Sequence, residues 1–84
     1  MKIPSESILK AIIGKYLTEI FTVKYCHVQC ITGLDTQKHT VVAVVEILSK
    51  KAKKSRQIIT CRYEINDYGI ISIIAHNVGK EERL

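Results

Sequence analysis

The chain has 84 residues, of which 46% are hydrophobic and 25% are charged, and its formal net charge is +5. This length predicts a single domain over residues 1–84, and the balance of apolar and charged residues excludes a disordered chain. A membrane span needs about 18 consecutive apolar residues, and no such run occurs, so we expect no membrane contact. The positive charge favours acidic partners in general.

Cysteine usage indicates a reducing compartment. Cys26, Cys30 and Cys61 are odd in number and lack the spacing of a disulfide framework. The first ten residues, MKIPSESILK, contain no apolar run like the core of a signal peptide. We therefore predict an intracellular, cytoplasmic protein.

The first predicted element is a helix over residues 5–21. Apolar side chains recur there at the four-residue spacing that lines one stripe of a helix. Ser5 follows Pro4 and is the predicted N-cap, and Glu6 suits the positive end of the helix dipole. Gly14 costs about 1 kcal/mol relative to alanine inside a helix. We interpret it as a point where the helix comes close to a sheet.

After residue 21 the period of the apolar residues changes to two, which predicts strands over residues 22–32, 40–49, 57–65 and 70–78. The connections have the composition of hairpin turns. The fold class is therefore predicted to be α+β, with one N-terminal helix packed on a four-stranded antiparallel meander sheet in the order α-β-β-β-β. Residues 79–84 are predicted to form a flexible tail.

The third strand shows the cleanest alternation. We expect its odd-numbered residues to face the helix, with polar residues on the other side. This expected core set is Ile59, Cys61, Tyr63 and Ile65.

The second and fourth strands carry apolar residues on both faces. The set predicted to lie opposite the core is Val42, Val44, Leu48, Ile70, Ile74 and Val78. One helix covers only one face of an antiparallel sheet, and an exposed apolar patch usually marks a contact surface. We therefore predict a homodimer interface formed by this set, with shielding by a curled sheet as the alternative.

The stretch SKKAKKSR at residues 49–56 joins the second and third strands. Its five cationic residues are Lys50, Lys51, Lys53, Lys54 and Arg56. They suit phosphate contacts, but the stretch lacks the aromatic residues that stack on bases. Lysines at a hairpin tip also keep sheet edges from aggregating. A solvated turn is the favoured interpretation, with contact to nucleic acid or another acidic partner as the alternative.

No catalytic residue, metal ligand or cofactor site is predicted. On one strand face Cys26 and Cys30 would lie about 13 Å apart at about 3.3 Å per residue, too far to share a zinc ion. They are interpreted as small buried hydrophobes. His76 is interpreted as a satisfied surface or interface histidine, and Glu46 as a structural partner of Arg62 or Lys24 across the sheet. We expect a protein that is not an enzyme.

The order of one long helix and four long strands resembles cystatin-like and related helix-grip domains over roughly residues 5–78. Within it, QCITG at residues 29–33 is similar to the Gln-x-Val-x-Gly hairpin of cystatins, with Ile in place of Val. The resemblance implies that Gln29 and Gly33 belong to a protein-binding hairpin that enters the cleft of papain-like proteases. The chain lacks the Trp of the second cystatin hairpin, a strand before the helix and a glycine-bearing N-terminal trunk.

These observations predict a small non-enzymatic protein-interaction domain, a regulator or inhibitor, that dimerises through an apolar sheet face and binds an unidentified protein. Two alternatives stay open, namely nucleic-acid binding through residues 49–56 and cystatin-like inhibition of cysteine proteases. By analogy of size and composition, such proteins are common among regulators encoded by phages and other mobile elements.

Overall fold

The computed structural model describes the backbone of residues 5–83 and the side chains of residues 5–79. The elements are α1 (Glu6–Phe21), β1 (Tyr25–Asp35), β2 (Thr40–Leu48), β3 (Lys54–Ile65) and β4 (Ile71–Arg83). The four strands form one antiparallel sheet in the order β1-β2-β3-β4. The predicted α+β meander is confirmed, while Pro4 and Leu84 lie outside the described residues.

Helix α1 begins at the predicted N-cap. Ser5 is extended, and its hydroxyl oxygen accepts a hydrogen bond from the backbone N–H of Ile8 at 3.3 Å. This contact satisfies one of the N–H groups that the first turn of a helix leaves unpaired. At the other end Thr22 has a left-handed φ of 53°. A left-handed residue after the last turn is a common way for a helix to end.

The close approach expected at Gly14 is confirmed. A Cβ atom at Gly14 would lie 3.2 Å from the carbonyl oxygen of Cys26 in β1. One turn further on, the Thr18 hydroxyl donates to the Gly14 carbonyl at 2.7 Å and accepts from the Cys26 N–H at 2.9 Å. One side chain therefore ties the helix to the first strand.

The hydrophobic core lies between α1 and the sheet face that α1 covers, which we call the inner face. The helix contributes Leu9, Ile13 and Leu17. The strands contribute their alternate residues, and three of the four predicted in β3 are buried. These strand residues are Cys26, Val28, Val41, Ala43, Val45, Ile47, Ile59, Cys61 and Tyr63.

A bulge in β1 separates two cysteines that simple alternation places together. Val28 pairs with Val45 and Cys30 with Val44, so Gln29 is an extra residue in the strand. Cys26 is buried on the inner face, whereas Cys30 is exposed. The prediction that both cysteines share a face and are buried is therefore wrong for Cys30.

Strand β1 has another extra residue at Thr32. A bulge in β4 likewise reverses the alternation of that strand. Ile73 pairs with Tyr63 but Ala75 pairs with Arg62, so Ile74 is the extra residue. From there to Val78 the even-numbered residues share the inner face, because a shift of one residue moves side chains to the opposite side of a sheet. Val78, predicted to lie opposite the core, is instead paired with buried Ile59.

The same bulge turns His76 toward the helix. The Tyr16 hydroxyl and His76 Nδ1 share a hydrogen bond of 3.1 Å, and the ring of Phe21 meets the imidazole edge-on at 5.4 Å between centroids. His76 thus has its polar partner within the chain. This contact is structural, since it joins the edge strand to α1.

Three strands extend beyond the predicted limits, and the first of them, β1, runs to Asp35 instead of residue 32. Strand β3 begins at Lys54, and β4 continues to Arg83, which pairs with Ser55. Residues predicted as a flexible tail therefore lengthen the edge strand. Gly79 permits this, since a Cβ atom there would lie 2.9 Å from the carbonyl oxygen of Ile58.

Replacing Gly79 by alanine is expected to lower the free energy of unfolding by about 1 to 3 kcal/mol, because the new methyl group meets a backbone atom. Urea denaturation measures the change. Ser72→Ala, at an exposed position of the same strand, should stay within about 0.5 kcal/mol of the wild type. Equal stability of Gly79→Ala and the wild type would contradict the close contact.

Stability is expected to fall at alkaline pH. Burial raises the pKa of the Cys61 thiol from 9.0 to about 11. Below 9.0 the thiol is protonated in both states, whereas between 9.0 and 11 only the unfolded chain releases its proton readily, so unfolding becomes easier. Burial also raises the pKa of Cys26, Tyr16 and Tyr63 in the same direction. Urea midpoints across this range should drop less steeply for Cys61→Ala, and an identical slope would contradict the assignment.

Candidate functional site

The second face of the sheet is the candidate site. The described chain has one helix, which packs on the inner face, so no element between residues 5 and 83 lies over the other side. We call that side the open face. Its apolar members are Tyr25, Cys30, Val42, Val44, Leu48, Ile58 and Ala75.

Strand β2 places three predicted interface residues on the open face. Val42, Val44 and Leu48 alternate with buried residues along the strand and are partly exposed. The regular alternation holds because β2 pairs with β3 without any register shift.

Ile58 was missed by the sequence prediction. It pairs with Val44 on the open face and is 43% exposed. Thr60, Arg62 and Glu64 define the outer side of β3, and the same alternation two residues earlier reaches Ile58. The alternation of residues in β3 could therefore have predicted Ile58 as a member of the open face.

The other predicted interface residues lie outside the regular alternation of the open face. Ile70 precedes β4 and is 59% exposed, and Ile74 occupies the bulge outside the regular alternation. Val78 is exposed at 41%, but its pairing partner belongs to the inner face. Val78 therefore lies on the inner side, whereas Ile74 lines a cleft with Arg62 and Glu64 of the open face and Ile70 lines another with Glu64 and Ser72.

A polar row crosses the open face beside the apolar residues. His27, Glu46 and Arg56 are paired in that order across three strands. The side-chain amide of Gln29 donates to a Glu46 carboxylate oxygen at 3.0 Å. Glu46 was expected opposite Arg62 or Lys24, but the register places Arg56 there.

One end of the sheet collects cationic side chains. The turn after β2 is closed by the Ser49 N–H, which donates to the Lys53 carbonyl at 2.9 Å. Lys24 joins this end because its N–H donates to the Leu48 carbonyl at 3.0 Å. We call this the basic end, and its exposed lysines are Lys24, Lys50, Lys51, Lys53 and Lys54.

The basic end has an aromatic neighbour that the sequence pattern did not reveal. Tyr25 pairs with Leu48, which in turn pairs with Lys54, and the tyrosine is 38% exposed. Tyr25 is far from the basic stretch along the chain, and only the pairing of β1 with β2 brings them together.

The opposite end of the sheet carries a small excess of acidic residues. Asp35, Glu64 and Asp67 lie there with Lys38 and Arg62, and we call it the acidic end. One Asp35 oxygen accepts from the Lys38 N–H and the Gln37 N–H, each at 3.0 Å. These hydrogen bonds hold the pKa of Asp35 below its usual value, so it is ionised at neutral pH.

A shallow cleft of about 480 Å³ opens at the acidic end. His39 stacks on Tyr63 there, with 5.2 Å between ring centroids, and Arg62 and Glu64 bring opposite charges to the rim. Among residues 5–79 no group of three or more histidine, cysteine, aspartate or glutamate side chains is placed to hold a metal ion.

The stretch that resembles the cystatin motif lies inside a strand. Gln29 is the bulged residue of β1, and Gly33 pairs with Val42. The hairpin turn follows at residues 36–39. Gln29 and Gly33 therefore do not form the tip of a hairpin.

Comparison with protein-family models, with curated proteins and with solved structures finds no match to this chain. Within residues 5–83 no helix has the length and apolar character needed to cross a membrane. The surface chemistry described above is therefore the basis for inferring function.

Proposed function

We propose that the chain is a small protein-interaction domain that forms a homodimer by packing its open face against the open face of a second copy. The observation that carries this proposal is the apolar surface formed by Val42, Val44 and Ile58, together with Cys30, which pairs with Val44. Burying apolar surface stabilises an assembly by about 25 cal/mol per Å². A contiguous patch of this kind marks a contact surface more often than it stays in water.

The dimensions of the molecule suit a second copy as the partner. The principal extents are 41 × 20 × 19 Å, so its broadest side measures about 800 Å², as much as each partner buries in a standard interface. Two sheets packed face to face make a sandwich, and a twofold axis lets one surface serve both subunits. The polar row of His27, Glu46 and Arg56 separates Leu48 from the apolar group of Val42, Val44 and Ile58, which lies between that row and the acidic end. An apolar centre bordered by polar residues is the usual composition of a protein interface.

Sedimentation equilibrium tests the proposal. A dimer of 9.5 kDa chains is expected, and it should dissociate on dilution with a single constant. Hydrogen exchange gives a second measurement, since the central strands of the open face should be better protected in the dimer than in dilute monomer. A strict monomer up to the solubility limit would refute homodimerisation.

Nucleic-acid binding is the second candidate, and it is favoured by the place of Tyr25 beside the basic end. Lysines neutralise phosphates and an exposed aromatic ring stacks on bases, the combination used for single strands. Fluorescence anisotropy with a labelled single-stranded oligonucleotide tests it. Tyr25→Ala should weaken binding without changing its salt dependence, whereas Lys51→Gln should reduce the salt dependence. No binding at low salt would exclude this candidate.

A further inference from the structure

We propose that the two open faces pack in an antiparallel orientation, with the basic end of each protomer against the acidic end of its partner. This inference rests on the homodimer proposed above. It assigns the basic stretch at residues 49–56 to recognition of a second copy of the chain.

Symmetry leaves two simple arrangements of aligned sheets. The twofold axis of a face-to-face pair lies parallel to the interface, because it must exchange the two sheets. An axis along the strands puts each end of a protomer over the same end of its partner. An axis across the strands puts unlike ends together. Both arrangements bury the same middle part of the open face, so the apolar contact does not choose between them.

The charges at the two ends of the sheet favour the arrangement with the axis across the strands. The basic end has five exposed lysines, and residues 49–54 contain no acidic residue. The backbone of residues 81–83 pairs at this end, and these residues carry two negative charges and one positive charge, so the basic end keeps a clear positive excess. At the acidic end, Asp35, Glu64 and Asp67 outnumber Lys38 and Arg62 by one.

Packed sheets are close enough for charges on one protomer to interact electrostatically with charges on the other. Facing sheets lie about 10 Å apart, close to the screening length of about 8 Å at physiological ionic strength. An axis along the strands would hold two groups of five lysines near each other. An axis across the strands replaces this repulsion with attraction at both ends, and such complementarity fixes orientation and speeds association.

Distance measurement between spin labels tests the orientation. Lys51 and Asp67 lie in turns at opposite ends of β3, which has twelve residues. Each is replaced by cysteine in a Cys30→Ala background, because Cys30 is the exposed native thiol and Cys26 and Cys61 are buried. Alanine is used because Cys30 pairs with Val44 on the open face, where a new hydroxyl would disturb the interface. Three samples are compared, which are the Lys51→Cys protein, the Asp67→Cys protein and an equimolar mixture re-equilibrated from monomers.

We expect about 35 Å between labels in each pure sample and a new population near about 15 Å in the mixture. The reverse pattern, with short distances in the pure samples, would overturn the antiparallel orientation and leave the homodimer standing. Three equal distances would indicate orthogonal sheets and would also overturn it. A sample without any dipolar signal is monomeric, which refutes the proposed homodimer itself.

Salt and charge removal give an independent readout. Changing Lys50, Lys51, Lys53 and Lys54 to glutamine should weaken the wild-type dimer about 10-fold, and added salt should weaken it in the same direction. A stronger dimer in either case would mean that like charges face each other. Unchanged dimerisation together with lost oligonucleotide binding would assign the lysines to nucleic acid and overturn the inference.

Discussion

Replacing Ile58 by lysine is expected to convert the dimer into a monomer, weakening self-association by about 100-fold or more. Ile58 lies in the central strand β3 and pairs with Val44 on the open face. Each copy contributes one new lysine, so the symmetric dimer would bury two ammonium groups in an apolar interface. Burial of an unpaired charge is strongly unfavourable. Sedimentation equilibrium of the variant measures the loss.

The chain offers a matched control for this substitution. Ile20 on α1 is 44% exposed, against 43% for Ile58, but it lies on the helix and not on the open face. Ile20→Lys should keep the wild-type dimerisation constant. Because both isoleucines are partly exposed, neither change should unfold the monomer, and urea denaturation at low concentration verifies this. Equal dimerisation of the two variants would exclude the open face as the interface.

Replacing Tyr63 by alanine is expected to lower the free energy of unfolding by about 3 to 5 kcal/mol. Tyr63 is 1% exposed, is among the largest fully buried side chains, and stacks on His39. A chain of this length is stable by about 4 to 12 kcal/mol, so the variant should be largely unfolded or melt far below the wild type. Thermal and urea denaturation followed by circular dichroism measures the change.

Tyr63→Phe separates the loss of the ring from the loss of the hydroxyl. It keeps the packing and the stacking partner, and we expect it to remain within about 1 kcal/mol of the wild type. A Tyr63→Ala protein as stable as the phenylalanine variant would mean that the ring contributes little to the core.

The elements that the sequence predicted best are those whose burial is regular. Helix α1 and strand β3 each bury one continuous stripe, so the period of their apolar residues identifies both the element and its inner side. Strand β1 has extra residues at Gln29 and Thr32, and β4 has one at Ile74 and a further register shift between Val78 and Glu81. Alternation cannot locate a bulge, which is why Cys30 and Val78 were placed on the wrong faces.

The candidate site was predictable in part for the same reason. Val42, Val44 and Leu48 were found because β2 pairs without a register shift on its β3 side. Ile58 was missed because the predicted interface included apolar residues of the second and fourth strands only, and Ile58 lies in the third. Tyr25 and Lys54 are close together because β1, β2 and β3 pair across the sheet. The order of apolar and polar residues within one strand does not indicate which strands pair.

The bulge at Ile74 has a consequence for how this strand tolerates changes in length during evolution. Ile74 is the extra residue between the pairs Ile73–Tyr63 and Ala75–Arg62. Its deletion would leave a regular ladder in which His76 still pairs with Cys61, whereas a deletion further along the strand would exchange faces for the paired residues between that position and the bulge. Length variation between residues 71 and 78 is therefore expected to concentrate at position 74.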